Sequence, residues 1–202
     1  MADFLAKIGL DKLDRAIIYG VVLVLVYILI ASGFAADRTW FSFFFRWLHV
    51  LSGVMWIGIL WYFNFVQIPS MPKIPDDQKP AVSKVIAPAA LFWFRWAALS
   101  TLITGLILAM LNGYLIEALT FGLAGGGLLA FRIGIGMWLG IIMAYNVWMI
   151  IWPNQKKALG MVEASADEKK AAARVAMLTS RVNTMLSIPM LYAMVGAQNL
   201  GA

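Results

Sequence analysis

Residues Ala16–Phe34 run for nineteen positions without a charged side chain. A helix rises about 1.5 Å per residue, so a run of about 20 such residues crosses the hydrocarbon of a bilayer. Small residues at Ala31, Ser32, Gly33 and Ala35 give the run some likeness to a secretory leader. It is long for a leader core, however, and we expect a retained membrane helix. Further apolar stretches follow at about 43–67, 91–111 and 133–152, with a shorter one at about 183–195 that contains Pro189. Proline is tolerated in membrane helices because neighbouring groups re-satisfy the freed carbonyl. The expectation is an all-α integral membrane protein with five transmembrane helices. A cytoplasmic amphipathic segment at 1–15 would precede one helical membrane domain at 16–202.

Composition agrees with this class. The 202 residues are 62% hydrophobic and 13% charged, against roughly 25% charged in soluble domains. The net charge of +6 raises the question of nucleic acid, but the basic residues flank the apolar runs and read as topology signals instead. With five spans, the N-terminus and the loops 68–90 and 153–182 share one side and hold 12 of the 16 Lys and Arg residues. The other side holds Arg38, Arg46 and Arg132, and Arg95 falls inside the third span. Cytoplasmic loops carry such an excess. The N-terminus is therefore expected in the cytoplasm and the C-terminus outside, in a bacterial inner membrane.

Two loops have character of their own. Ser165-Ala166-Asp167-Glu168 is a capping-box pattern that opens a helix inside the cytoplasmic loop 153–182, and this helix can run on into the fifth span. The loop 113–131 contains Gly122, Gly125, Gly126 and Gly127 and is expected to be a flexible external connection.

The inventory of reactive groups is small. The absence of cysteine excludes disulfides, cysteine-ligated iron–sulfur clusters and a C-x-x-C-H haem attachment on this chain. No Asp or Glu lies within the five spans. The single histidine, His49, sits six residues into the second span, and an ionisable group inside a membrane is a functional candidate by default. Arg46 precedes it by three residues on the same helix face, and Ser52, Gly53 and Gly58 follow. Small residues near a histidine leave room for a flat macrocycle. His49 is thus a candidate axial ligand of haem b, with Arg46 placed to meet a propionate. The simpler alternative is a neutral histidine bonding across helices. Bis-histidine ligation would need a second copy or a partner, whereas a methionine could serve from within the chain. A histidine metal cluster is not expected, since zinc and copper sites take several His or Cys ligands.

A second polar set, Asn64, Gln67, Arg95, Asn146 and Asn183, falls at similar depth toward the cytoplasm. It reads as interhelical hydrogen bonding, with Arg95 reaching to the interface. Gly136, Gly140 and Ala144 form a small-residue seam suited to close helix packing. The tryptophans cluster near span ends as interfacial anchors, and the twelve methionines read as adaptable packing.

Several blocks resemble a known family. Arg46-Trp47-Leu48-His49 with Trp56-Ile57-Gly58, the stretch Phe92–Gly105, and Asn146-Val147 followed by Pro153-Asn154-Gln155-Lys156-Lys157 are similar to the membrane domain of bacterial membrane-bound urate oxidase (urate hydroxylase). The likeness continues through Asn183, Leu186, Pro189, Leu191 and Met194. It implies a helical membrane fold and an activity that oxidises urate and passes electrons to the respiratory chain. Against that family's pattern of about eight spans and a C-terminal cytochrome c, this chain is shortened and has an extra first span. Family histidines would fall at Gly134, Val182 and Gln198, where this chain has none; only His49 carries over. The resemblance therefore implies the fold more strongly than the activity. Three functions are expected from it and from the residues. The first is an accessory, non-catalytic subunit of a larger energy-transducing membrane complex, whose partners are lipid and other subunits or a second copy. The second is a haem b protein using His49, and the third a urate oxidase. No catalytic residues can be assigned.

Overall fold

The computed structural model describes residues 1–33 and 36–200. The chain forms two compact units, Met1–Phe41 and Ser42–Ala202. Among the described residues there are only helices and turns, with no strand. In chain order the α-helices are α1 (Ala2–Lys7), α2 (Leu13–Tyr27), α3 (Arg38–Trp61), α4 (Ile68–Ser70), α5 (Lys79–Ala81), α6 (Ala87–Asn112), α7 (Leu115–Leu119), α8 (Gly127–Tyr145), α9 (Trp152–Ala158) and α10 (Ala166–Asn199).

Within Met1–Phe41, the short α1 leads to α2, where the Tyr19 hydroxyl donates to the carbonyl of Ile8 at 2.6 Å. A π-helical turn at Ile28–Ser32 continues α2. No residue of α2 is buried within the protein. A largely apolar helix with no buried residue is unlike a soluble core element, which hides one stripe. The last position of the expected first span, Phe34, lies outside the described residues, as does Ala202 at the end of the expected membrane domain.

Four helices among the described residues are long and apolar enough to cross a membrane: Leu13–Ala31, Arg38–Lys73, Lys79–Asn112 and Gly127–Ala158. The last three are longer than the apolar runs suggest because the flanking segments are also helical. Much of 68–90, read from sequence as a loop, consists of helical turns, and a continuous helix begins at Lys79. Three of the joins are π-helical: Tyr62–Gln67, Val82–Ile86 and Asn146–Ile151. The extra residue per π turn re-aims the side chains around it, which is why such turns recur where helices make special contacts.

In Ser42–Ala202, neighbouring helices are antiparallel and tied by sparse polar links. Ser42 Oγ donates to Asn112 Oδ1 at 2.9 Å, and the hydroxyls of Ser52 and Ser100 are 2.8 Å apart, which fixes α3 against α6. The buried centre is Trp56, Leu60, Phe94, Ala98, Met143 and Val147, with Phe63 and Phe94 packed edge to face. The large apolar side chains that remain exposed, such as Val54, Phe65, Trp93, Met149 and Ile188, form an outer surface of hydrocarbon character. This inverts the arrangement of a soluble domain.

The loop 113–131 is more ordered than its glycines suggest. Helix α7 forms inside it and packs on α8: Trp138 Nε1 donates to the Leu119 carbonyl at 3.0 Å, and the Phe121 and Trp138 rings stack. Gly134 is the reason this fits. A Cβ there would meet the Ala118 carbonyl oxygen, a backbone atom that cannot swing aside.

Pro189 does not interrupt its helix. α10 runs unbroken for 34 residues from the capping box at Ser165, whose hydroxyl accepts from the Glu168 amide while the Glu168 carboxylate accepts from the Ser165 amide. These hydrogen bonds hold the Glu168 carboxyl below its usual range. The second half of α10 lies antiparallel to α8. Its polar members Asn183 and Ser187 are 0% exposed, whereas Met185, Ile188, Tyr192 and Val195 face outward.

Candidate functional site

A cleft of about 610 Å³ opens between α3, α6, α8 and α10. That is within the range of about 300–1,000 Å³ typical of ligand and cofactor pockets. His49 lines it. The Nδ1 of His49 is 2.9 Å from the Thr101 carbonyl oxygen. A carbonyl only accepts, so Nδ1 carries the proton and the lone pair resides on Nε2. Nε2 has no hydrogen-bond partner among the described residues. A backbone carbonyl behind one ring nitrogen is the usual device for orienting a ligating histidine.

The ring can lie there because residue 105 is glycine. A Cβ on Gly105 would be 2.7 Å from Cε1 of His49 and 3.0 Å from Nδ1. Thr101 and Gly105 are one helical turn apart on α6 and together form the seat of the imidazole. Sequence reasoning found His49 and missed both. Their signal was only the small residue at 105 within a long apolar helix.

Gly53, Gly58 and Gly140 also line the cleft. Around Gly58 and Gly140 there is open space where a side chain would stand, and near Gly53 only the Thr101 methyl approaches, at 3.9 Å. The seam expected at Gly136, Gly140 and Ala144 is therefore divided. Ala144 is buried, and Gly136 packs against Met194, whose Sδ would lie 3.2 Å from a Cβ there. Gly140 makes no packing contact and forms part of the cleft floor. Met137, Met190 and Met194 contribute thioethers to the lining. Trp56 lines it as well, and its indole N–H is buried without an acceptor among the described residues.

Two hydrogen bonds join α3 to α10 at either end of this wall. At one end Arg46 Nη1 donates to Gln198 Oε1 at 3.0 Å, and at the other Trp61 Nε1 donates to Ser187 Oγ at 3.0 Å. Between them stand Val50, Val54 and Val195, all exposed. Tyr114 also borders the cleft; burial pushes its phenol up, and the nearby Arg46 charge works the other way. Arg46, Gln198 and Tyr114 thus give an otherwise apolar cleft one polar end.

The second polar set is only partly assembled. Asn146 Nδ2 donates to Asn183 Oδ1 at 2.8 Å, and Asn183 Nδ2 donates to the Met143 carbonyl at 3.0 Å. Asn64 Nδ2 donates to Ser180 Oγ at 2.8 Å and to its own Leu60 carbonyl. Asn64 and Asn146 both belong to π-helical turns, which aim them at α10. Gln67 Oε1 is buried without a hydrogen-bond partner among the described residues. Arg95 joins neither pair; its guanidinium lies over the Trp152 ring, 3.4 Å from the centroid.

The positions at which the resembling family would carry histidines are now explained in part. Gly134 has no room for a side chain against Ala118, Val182 is exposed, and Gln198 holds Arg46. Among the described residues no three His, Asp or Glu side chains gather.

No curated protein and no solved structure matches the chain. Residues 126–199 match the family model described as urate oxidase N-terminal. The match begins at the N-cap of α8 and ends with α10, so it is narrower than the resemblance in the sequence and leaves His49 and Arg46 outside. The α8–α10 portion of the bundle is thus similar to the N-terminal part of urate oxidase.

Proposed function

We propose that this chain is a multi-pass inner-membrane subunit of a larger energy-transducing complex, and that its own contribution is a haem b held at His49. The observation that carries the reading is the imidazole of His49, fixed through Nδ1 on the Thr101 carbonyl, with Nε2 unpaired on an apolar cleft. The residues suit the group. Gly53, Gly58 and Gly140 would leave space for a flat macrocycle, Arg46 and Gln198 would meet its carboxylates, and Met190 and Met194 would add thioethers to its surroundings. When bound, such a haem supplies one-electron transfer. The protein's part is to orient His49, exclude water and stabilise the carboxylates.

The reading includes five spans, with the N-terminus in the cytoplasm and the C-terminus outside. α10 supports a fifth crossing despite its modest average hydropathy, because its second half turns Asn183 and Ser187 inward and apolar side chains outward. Reporter fusions after residue 162 and at the C-terminus test the topology; equal signals from the same side would refute it. A pyridine haemochrome assay of the protein purified from native membranes tests the cofactor. Wild type should carry haem b in stoichiometric amount and His49→Ala should lose it. Haem retained by His49→Ala would refute the assignment.

A urate-oxidising activity is the second reading, favoured only by the likeness to urate oxidase at 126–199. Urate-dependent oxygen or quinone consumption by membranes containing the chain would support it.

A further inference from the structure

Apart from the cleft, the structure gathers unmatched donors where α6 meets the α8–α9 rod. Arg95 of α6 lies over one indole, Trp152, and Lys156 Nζ is 5.7 Å from the same ring centroid. Two cations sharing one indole repel each other, and the ring offsets only part of that through its quadrupole. Arg95 Nη1 is buried and has no hydrogen-bond partner among the described residues. One turn before Trp152, the indole N–H of Trp148 is likewise buried and unpartnered. Lys79 pairs with Asp76 elsewhere in the chain, and among the described residues no carboxylate pairs with Arg95 or Lys156. Buried donors without acceptors are costly and need an explanation.

The buried Arg95 Nη1 and Trp148 N–H are closed to a ligand, but Arg95 and Lys156 are each partly exposed, and the position of these cations indicates what meets their charge. Arg95 is seventeen residues from the end of α6 at Asn112, or about 25 Å along the axis, close to the thickness of the hydrocarbon, about 30 Å. Trp152 and Lys156 lie where the apolar rod gives way to Asn154, Gln155 and Lys157. This is headgroup depth. We propose that Arg95, Trp152 and Lys156 form a binding site for the phosphate of an anionic phospholipid. Arg95 and Lys156 would contact the phosphate oxygens, and the neighbouring exposed Trp96 would lie at the start of the acyl chains. A planar guanidinium stacked on an aromatic ring still presents its edge donors to phosphate.

The inference rests on these helices crossing a bilayer, and that premise fails separately: the chain would then remain in solution without detergent. The site itself is tested by titrating the intact detergent-purified chain with phosphatidylglycerol or phosphatidylcholine and counting bound lipid by native mass spectrometry. We expect phosphatidylglycerol to be retained about tenfold more strongly, a difference of about 1.4 kcal/mol. Arg95→Gln should abolish that preference, Lys156→Gln should reduce it, and Arg95→Lys should keep part of it because the charge remains. Because Lys156 is not part of the core, its variant keeps the test valid if Arg95→Gln fails to fold. Equal retention of both lipids, or an undiminished preference in Lys156→Gln and any folded Arg95→Gln, would overturn the proposal. So would loss of the preference in millimolar inorganic phosphate, since that would mark a site for the free anion.

Discussion

His49 and Gly105 share space that only a glycine leaves free: a Cβ at 105 would stand 2.7 Å from Cε1 of the imidazole. The contact seats the ring between two helices and holds Nδ1 on the Thr101 carbonyl. Gly105→Ala should therefore move the imidazole off that carbonyl. Groups that orient a metal-ligating histidine are worth about 10–100-fold in affinity, and the variant should retain haem that much more weakly. Haem content after dialysis against apomyoglobin measures this. Retention equal to wild type would show that the Gly105 seat does not position the ligand.

Glycines 134 and 140 lie on the same helix and should respond oppositely to alanine. Gly140 faces open space, and replacing a helical glycine by alanine gains up to about 1 kcal/mol. Gly134 faces a backbone carbonyl, and overpacking there should cost about 1–3 kcal/mol or more. Thermal unfolding in one detergent, compared for Gly140→Ala and Gly134→Ala, should give shifts of opposite sign.

Filling the cleft should separate binding from folding. Gly58→Leu and Gly140→Leu place a side chain where none stands. Both variants should fold and insert yet lose haem. Full haem content in both would locate the cofactor elsewhere.

Asn183 ties α10 to the α8 rod twice, accepting from Asn146 and donating to the Met143 carbonyl. Hydrogen bonds between membrane helices contribute about 0.6–2 kcal/mol. Asn183→Ala should lower stability by about that amount, and a double-mutant cycle with Asn146→Ala should show coupling of the same order.

The capping box at the start of α10 gives a pH dependence of known sign. The Glu168 carboxyl is held below its usual range by its bonds to Ser165. Its contribution is fully present above the ordinary glutamate range and is lost as pH falls through the lowered value. Amide exchange at 166–170, corrected for intrinsic rates, should therefore speed up on acidification, and in Ser165→Ala it should be fast at every pH.

Much of the helical architecture was legible because hydrocarbon length acts on whole segments. Among the described residues four of the five apolar runs coincide with helices long and apolar enough to cross, and Ser165 to Glu168 forms the capping box its pattern predicts. Contacts were less legible. α10 escapes a hydropathy average because its polar residues Asn183 and Ser187 are buried by neighbours that only the fold supplies. The glycine loop hides α7 because its order comes from a carbonyl packed on Gly134. The polar set divided because π-helical turns aim Asn64 and Asn146 at α10, whereas Arg95 faces Trp152. At the candidate site, His49 and Arg46 stood out by charge. Thr101, Gly105 and Gln198 did not, since a backbone carbonyl, a missing side chain and a distant amide carry no local signature.

The central claim is a haem b at His49, and a reduced-minus-oxidised visible spectrum of the protein purified from native membranes tests it most directly. The account predicts b-type bands in stoichiometric amount, shifted or absent in Gly105→Ala. A colourless wild-type protein would contradict it and leave His49 as an interhelical packing residue of an accessory subunit.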